Sequence, residues 1–125
     1  MRSGLMFPKT KKTKRRTGSR AGSIMQKKDG RCWMCMKIHG DNRTHPALHK
    51  HHIFFGTGQR KISEKNGFYV WLCPAHHIYD GGPEAVHRNY ILCRMLQRET
   101  QEKWEKAGHS RQEFINLVGR SYITD

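Results

Sequence analysis

Apolar positions are few in this chain and fall into short groups. The longest apolar run is Phe68-Tyr69-Val70-Trp71-Leu72-Cys73, aromatic and β-branched, and it predicts a strand led in by Gly67. A shorter run, Ile53-Phe54-Phe55, is ended by Gly56-Thr57-Gly58, and the polar stretch Gln59–Asn66 reads as a loop or a helical turn. Pro74–Tyr79 predicts a short helix with proline at its first position, stopped by Asp80-Gly81-Gly82-Pro83. From Glu84 to Ala107, Val86, Tyr90, Ile91, Cys93, Met95, Leu96 and Trp104 recur at helical spacing and predict one long helix ending at Gly108. Ser110-Arg111-Gln112-Glu113 is a capping-box pattern opening a last helix through Phe114, Ile115, Leu117 and Val118. No internal repeat is present.

Residues 1–28 show none of this patterning. They hold ten Lys and Arg and no acid before Asp29, with Gly, Ser, Thr and Pro between the charges. Such a segment cannot bury enough apolar surface to offset its ordering entropy, so a disordered basic arm over 1–28 is expected, followed by one folded domain over 29–125. The whole chain of 125 residues carries 24 Lys and Arg against 10 Asp and Glu, a formal charge of +14. That balance favours a polyanion, since neutralising phosphates releases counterions, and DNA is the expected partner. Lys11, Lys12, Lys14, Arg15 and Arg16 in the arm, and Arg60, Lys61 and Arg88 in the domain, are the candidate DNA contacts. No apolar run approaches the roughly 18 residues needed to span a membrane, and none resembles a signal peptide. A cytoplasmic monomer without a membrane partner is the expectation.

Only 35% of the whole chain is hydrophobic, and a domain of under about 100 residues drawn from it has a marginal core and needs a staple. Four cysteines and nine histidines are the available material. Cys32-x-x-Cys35 and Cys73-x-x-His76 are two pairs at two-residue spacing, and two such knuckles complete the tetrahedron of a structural zinc. The ion would close a long loop, with 37 residues between Cys35 and Cys73. Cys93, on a helix face between Tyr90 and Leu96, reads as a small core residue. His51-His52 stands before Ile53-Phe54-Phe55, and His77 directly follows the second knuckle. Adjacent side chains on a strand point to opposite faces, so both members of the His51-His52 pair can act only where the strand bends or twists; one can then hold a metal while the other reaches a water. His39, His45 and His109 read as ordinary histidines.

The order Cys-x-x-Cys, His-His-Ile, then an aromatic strand ending Leu-Cys-x-x-His-His resembles the HNH, or His-Me finger, endonucleases with a structural zinc. The resemblance implies an α+β fold: a small zinc-stapled ββα-metal core, metal sites within 32–88, and C-terminal helices over 84–121. It implies His52 as general base and His51 and His77 as ligands of a catalytic divalent ion, Mg²⁺ or another, beside a structural Zn²⁺. His76 stands where the family more often has Cys, which leaves open which of His76 and His77 serves which ion. The family's middle Asn falls where Phe68 stands, with Asn66 near but displaced, and His87 is an alternative ligand. A narrower resemblance, from about Ser23 to Tyr122, is to small phage-encoded proteins of the RecA-dependent, recombination-enhancing nuclease group. It is carried by residues 59–65, by Val86-His87-Arg88-Asn89 and by Gln112-Glu113-Phe114.

Phosphodiester hydrolysis needs a deprotonated water and a group to take the leaving oxygen's charge. Histidine, with an ordinary pKa near 6.5, suits the first task. Asp41, Glu64, Asp80 and Glu84 are scattered, so a one-metal, histidine-base mechanism fits better than a two-metal carboxylate site. The rival expectation is a zinc-stapled DNA-binding or recombination accessory module without catalysis, possessing the arm and the zinc but having no use for His51, His52 and His77.

Overall fold

A computed structural model describes residues 22–77 and 83–123. The five arm residues proposed above as DNA contacts, and Asp80-Gly81-Gly82, lie outside them. The element order is α1 (Trp33–His39), β1 (His49–His52), α2 (Gln59–Asn66), β2 (Tyr69–Leu72), α3 (Pro74–His77), α4 (Tyr90–Lys106) and α5 (Arg111–Val118). The architecture is a small α+β fold with one two-stranded antiparallel sheet, in which His49 pairs with Leu72, Lys50 with Trp71, His51 with Val70 and His52 with Tyr69. No helix among the described residues is long and apolar enough to cross a membrane.

The strand period of two gives the sheet two unlike faces. His49, His51, Val70 and Leu72 share one; Lys50, His52, Tyr69 and Trp71 share the other. The polar stretch 59–66 resolves as a helix. Ser63 on that helix is buried, and its hydroxyl both donates to the Phe54 carbonyl (2.7 Å) and accepts from the Phe54 amide (3.1 Å), tying α2 to the chain leaving β1. Phe54, Phe68 and Phe114 form the centre of the core, with ring centroids 5.5 Å apart for Phe54 with each of the other two. Ile53, Leu72, Leu96 and Met34 close around them. Phe68, at the family's Asn position, is thus a core residue, and the Asn66 amide donates to the Ile62 carbonyl at the end of α2.

Four expectations are corrected. The helix expected from Glu84 begins at Tyr90. The amides of Val86 and His87 donate to the carbonyls of His76 and His77 at 2.9 and 3.2 Å, which holds this stretch against α3. Asn89 then caps α4 by accepting from the Leu92 amide at 3.0 Å. Tyr90 and Ile91, two of the apolar positions read at helical spacing, are 70% and 77% exposed. Cys93 is half-buried. Last, residues 22–28 do not belong to a free arm. The Ile24 amide donates to the Gly67 carbonyl (2.9 Å), the Ser23 hydroxyl donates to the Tyr69 carbonyl, Met25 is buried, and the Trp71 amide donates to Gln26 Oε1 (2.9 Å). Gly67 permits this approach: its φ is +77°, and a Cβ there would run into the Gly22 carbonyl oxygen. The capping box of the last helix is present, with Ser110 Oγ accepting from the Glu113 amide and Glu113 Oε1 accepting from the Ser110 amide.

Candidate metal centre and histidine cleft

Cys32 is the N-cap of α1, and its sulfur accepts from the Cys35 amide at 3.4 Å, so the first knuckle is a helix start. The second is the first turn of α3, where the amides of His76 and His77 donate to the Cys73 carbonyl at 3.0 and 3.1 Å. Cys32, Cys35, Cys73 and His76 are all buried and offer ligand atoms within 4.8 Å of one another. His76 Nδ1 lies 3.6 Å from Cys32 Sγ and 3.4 Å from each of Cys35 Sγ and Cys73 Sγ, and the last two sulfurs are 3.9 Å apart. Tetrahedral zinc at ordinary bond lengths puts S···N edges at about 3.6 Å and S···S edges at about 3.8 Å. The four side chains fit zinc in both donor type and spacing. Burial pushes the Cys32 and Cys35 thiols above their ordinary range, so a cation entering here must displace protons.

The geometry assigns His76, rather than His77, to the cysteines. Its other nitrogen, Nε2, donates to Glu84 Oε1 at 3.0 Å, and the same oxygen accepts from His39 Nε2 at 2.8 Å. A carboxylate on the far side of a ligating imidazole fixes its tautomer and leaves the near nitrogen's lone pair for the metal. Glu84 is held below its ordinary pKa by these bonds, His39 first. Sequence reasoning missed both: His39 read as ordinary, and Glu84 as a scattered acid.

His77 turns the other way. With His51 and His87 it forms a second convergent set, ligand atoms again within 4.8 Å and ring centroids 4.9 to 5.2 Å apart. His51 is 2% exposed, and its Nε2 has no hydrogen-bond partner among the described residues. An orphaned buried nitrogen facing two other imidazoles fits a cation. His49 Nδ1 stands 2.9 Å from His77 Nδ1; with His77 donating there, His77 Nε2 keeps its lone pair. Burial, reinforced by the neighbouring histidines, pushes His51 down to about 3 and His77 down to about 4; His87 is lowered by burial and by Arg60. All three are neutral at pH 7, the form that ligates. His49 carried no signal that pattern reading could use.

His52 sits across the strand from this set. Its Nε2 donates to Glu64 Oε1 at 2.8 Å, and Lys50 Nζ reaches both Glu64 oxygens at 3.2 Å. His51, His52, His77, His87, Lys50, Phe55 and Arg60 nevertheless line one cleft of about 510 Å³. Of the domain's candidate DNA contacts, Arg60 alone lies on that cleft; Lys61 and Arg88 are exposed elsewhere. No protein-family model matches the chain, and neither a curated protein nor a solved structure matches it, so the geometry of these side chains carries the functional reading.

Proposed function

We propose that the protein is a metal-dependent DNA endonuclease of the HNH type, with a ββα-metal core and a one-metal, histidine-base mechanism. The observation that carries this is the placement of three neutral imidazoles, His51, His77 and His87, around one point in the cleft that His52 also lines. A structural or DNA-binding domain has no need of a second, half-open histidine set beside a fourth imidazole. In this reading His87 is the third ligand. These three imidazoles would hold a divalent cation, which would supply Lewis-acid stabilisation of the phosphate and of the leaving oxygen's charge. Three imidazoles favour a transition ion over Mg²⁺.

The chain's own residues supply the rest. With Nε2–H of His52 committed to Glu64, Nδ1 carries the lone pair and is the atom that takes a proton from water. Glu64 fixes that tautomer and balances the imidazolium that forms. Arg60 and Lys50 on the cleft rim neutralise phosphate oxygens and hold the backbone in line. DNA as substrate follows from the charge of +14 and these rim cations. Action with a RecA-type filament rests on the residue resemblance to the recombination-enhancing group.

The deciding experiment is plasmid nicking with Mg²⁺, Mn²⁺, Co²⁺ or no divalent ion, each with and without a recombinase filament. Wild type is compared with His52→Ala and His77→Ala. The expected result is cleavage by wild type only, with loss in His52→Ala of about 10² to 10⁴ in rate that added metal does not restore. His77→Ala recovers partly as metal rises. A wild type that cuts nothing under any of these conditions makes the protein a binding module.

A further inference from the structure

We infer that the trough on the outer face of the sheet is a binding path for a single DNA strand, leading to His52. This rests on the nuclease reading for its outlet and on separate residues for its body. The trough, about 840 Å³ in volume, runs over the face that carries Lys50, His52, Tyr69 and Trp71, and is walled by the pinned segment 22–28 and by Lys103 of α4. Lys27, Lys28, Lys50 and Lys103 are all exposed and bring four positive charges to it. Among the described residues Glu64 is its one acid, and it is already engaged by Lys50 and His52.

Two of the lysines stand over rings on this face, the half-buried Trp71 and the buried Tyr69. Lys28 Nζ lies 6.0 Å from the centre of the Trp71 ring, and Lys50 Nζ lies 4.2 Å from that of Tyr69. Trp71 is half-buried, lies outside the core cluster and lines the trough. Rings interleaved with lysines suit a nucleic-acid strand: the ammonium groups follow the phosphates while unpaired bases stack on the ring. In a duplex the base faces are covered by their neighbours, so the ring would have nothing to stack on. Among the described residues that line the trough, the forked side chains are Gln26, whose Oε1 and Nε2 are taken by the Trp71 amide and the Arg31 carbonyl, and Glu64, held by Lys50 and His52. The path is therefore indifferent to sequence. Lys50 belongs to both trough and cleft, and stands two residues from His52 on the same face of β1, so a strand gripped at Lys50 is delivered to the base.

The test uses full-length, zinc-loaded protein without added divalent ion, titrated with fluorescent oligo(dT) or with a duplex of equal length. Trp71→Ala and the pair Lys27→Ala/Lys28→Ala are each expected to weaken oligo(dT) binding about tenfold while moving duplex binding by less than about threefold. Oligo(dT) is also expected to quench tryptophan emission in wild type and not in Trp71→Phe, whereas poly-glutamate quenches neither. Should Trp71→Ala lose its zinc, the double lysine variant decides. Equal losses on both DNAs, unchanged oligo(dT) binding, or quenching by poly-glutamate as strong as by oligo(dT) overturns the proposal. The two readings fail separately. Selective loss of strand binding in a protein that never cuts removes the nuclease and leaves the trough; intact strand binding in variants of a protein that does cut removes the trough and leaves the nuclease.

Discussion

Glu64 Oε1 stands 2.8 Å from Nε2 of His52, twelve positions away along the chain and on a different element. That hydrogen bond leaves Nδ1 as the nitrogen of His52 that carries the lone pair. Glutamine at 64 can still accept from Nε2–H through its amide oxygen but brings no charge; alanine does neither. Glu64→Gln is therefore expected to cut more slowly than wild type by about 10- to 100-fold, and Glu64→Ala more slowly still, with metal content unchanged in both. Single-turnover rates on a nicking substrate measure this. Equal rates in the three proteins would show that Glu64 serves only as a surface partner of Lys50. The acid side has a defined sign. His52, its first cause, and Lys50 hold the Glu64 carboxyl below its ordinary 4.5, so the stability this pairing adds is full above that value and is lost as pH falls through the lowered one.

The zinc centre carries the second prediction. One tightly held zinc per chain is expected by elemental analysis, and chelation should unfold the domain, since binding a structural zinc is itself folding free energy. Glu84→Ala should weaken zinc by about 10- to 100-fold, because His76 loses the acceptor that orients it. His39→Ala should do less, since it touches Glu84 and not His76's ring nitrogen. A metal-free protein that unfolds cooperatively would reject the site.

What could be read in the chain was whatever depends on near neighbours. The knuckles at 32–35 and 73–76, the strand at 68–73 and the capping box at Ser110 each announce themselves within six residues. The partners across the fold did not. Glu84 and Glu64 are lone acids until the loop after α3 and the helix α2 bring them to His76 and His52. His87 was an alternative ligand, offered because the short helix after Cys73 is cut by Gly81-Gly82; the hydrogen bonds from the amides of residues 86 and 87 to α3 are what keep it beside His77. Composition misplaced residues 22–28 for the same reason. Their charges read as solvated, while their backbone is held by Gly67 and Tyr69.

The arm carries the third prediction. Deleting residues 1–21 should leave zinc content and folding unchanged and lower DNA affinity, flattening the salt slope by roughly 0.9 for every duplex phosphate that the arm no longer neutralises. Cutting further, to residue 28, removes Ser23, Met25 and Gln26 from the sheet and should cost stability as well. Thermal denaturation of the two truncations separates them. If the longer deletion melts like the shorter, the segment 22–28 adds nothing to the fold.

The histidine set carries the last. A cation at His51, His77 and His87 competes with protons for each imidazole. Three histidines at the ordinary 6.5 would lose affinity about fifty-fold between pH 7.5 and pH 6, from protonation alone. Here burial and mutual repulsion hold His51 at about 3 and His77 at about 4, with His87 lowered too. Protons at His51 and His77 therefore compete little until well below pH 6, and with His87 lowered as well Co²⁺ affinity is expected to fall less than about fivefold over the same range. Co²⁺ titration of zinc-loaded protein reads this directly, because metal bound through thiolates shows charge-transfer absorption and metal bound through imidazoles does not. In the absence of added ion the same depression means that the folded chain binds fewer protons than the unfolded one between about pH 4 and 6.5, so stability rises with pH across that window. A fifty-fold fall in Co²⁺ affinity would mean that these imidazoles are solvated and titrate as ordinary histidines, and the absence of any Co²⁺ binding free of thiolate absorption would mean that the buried orphan nitrogen of His51 does not face a metal.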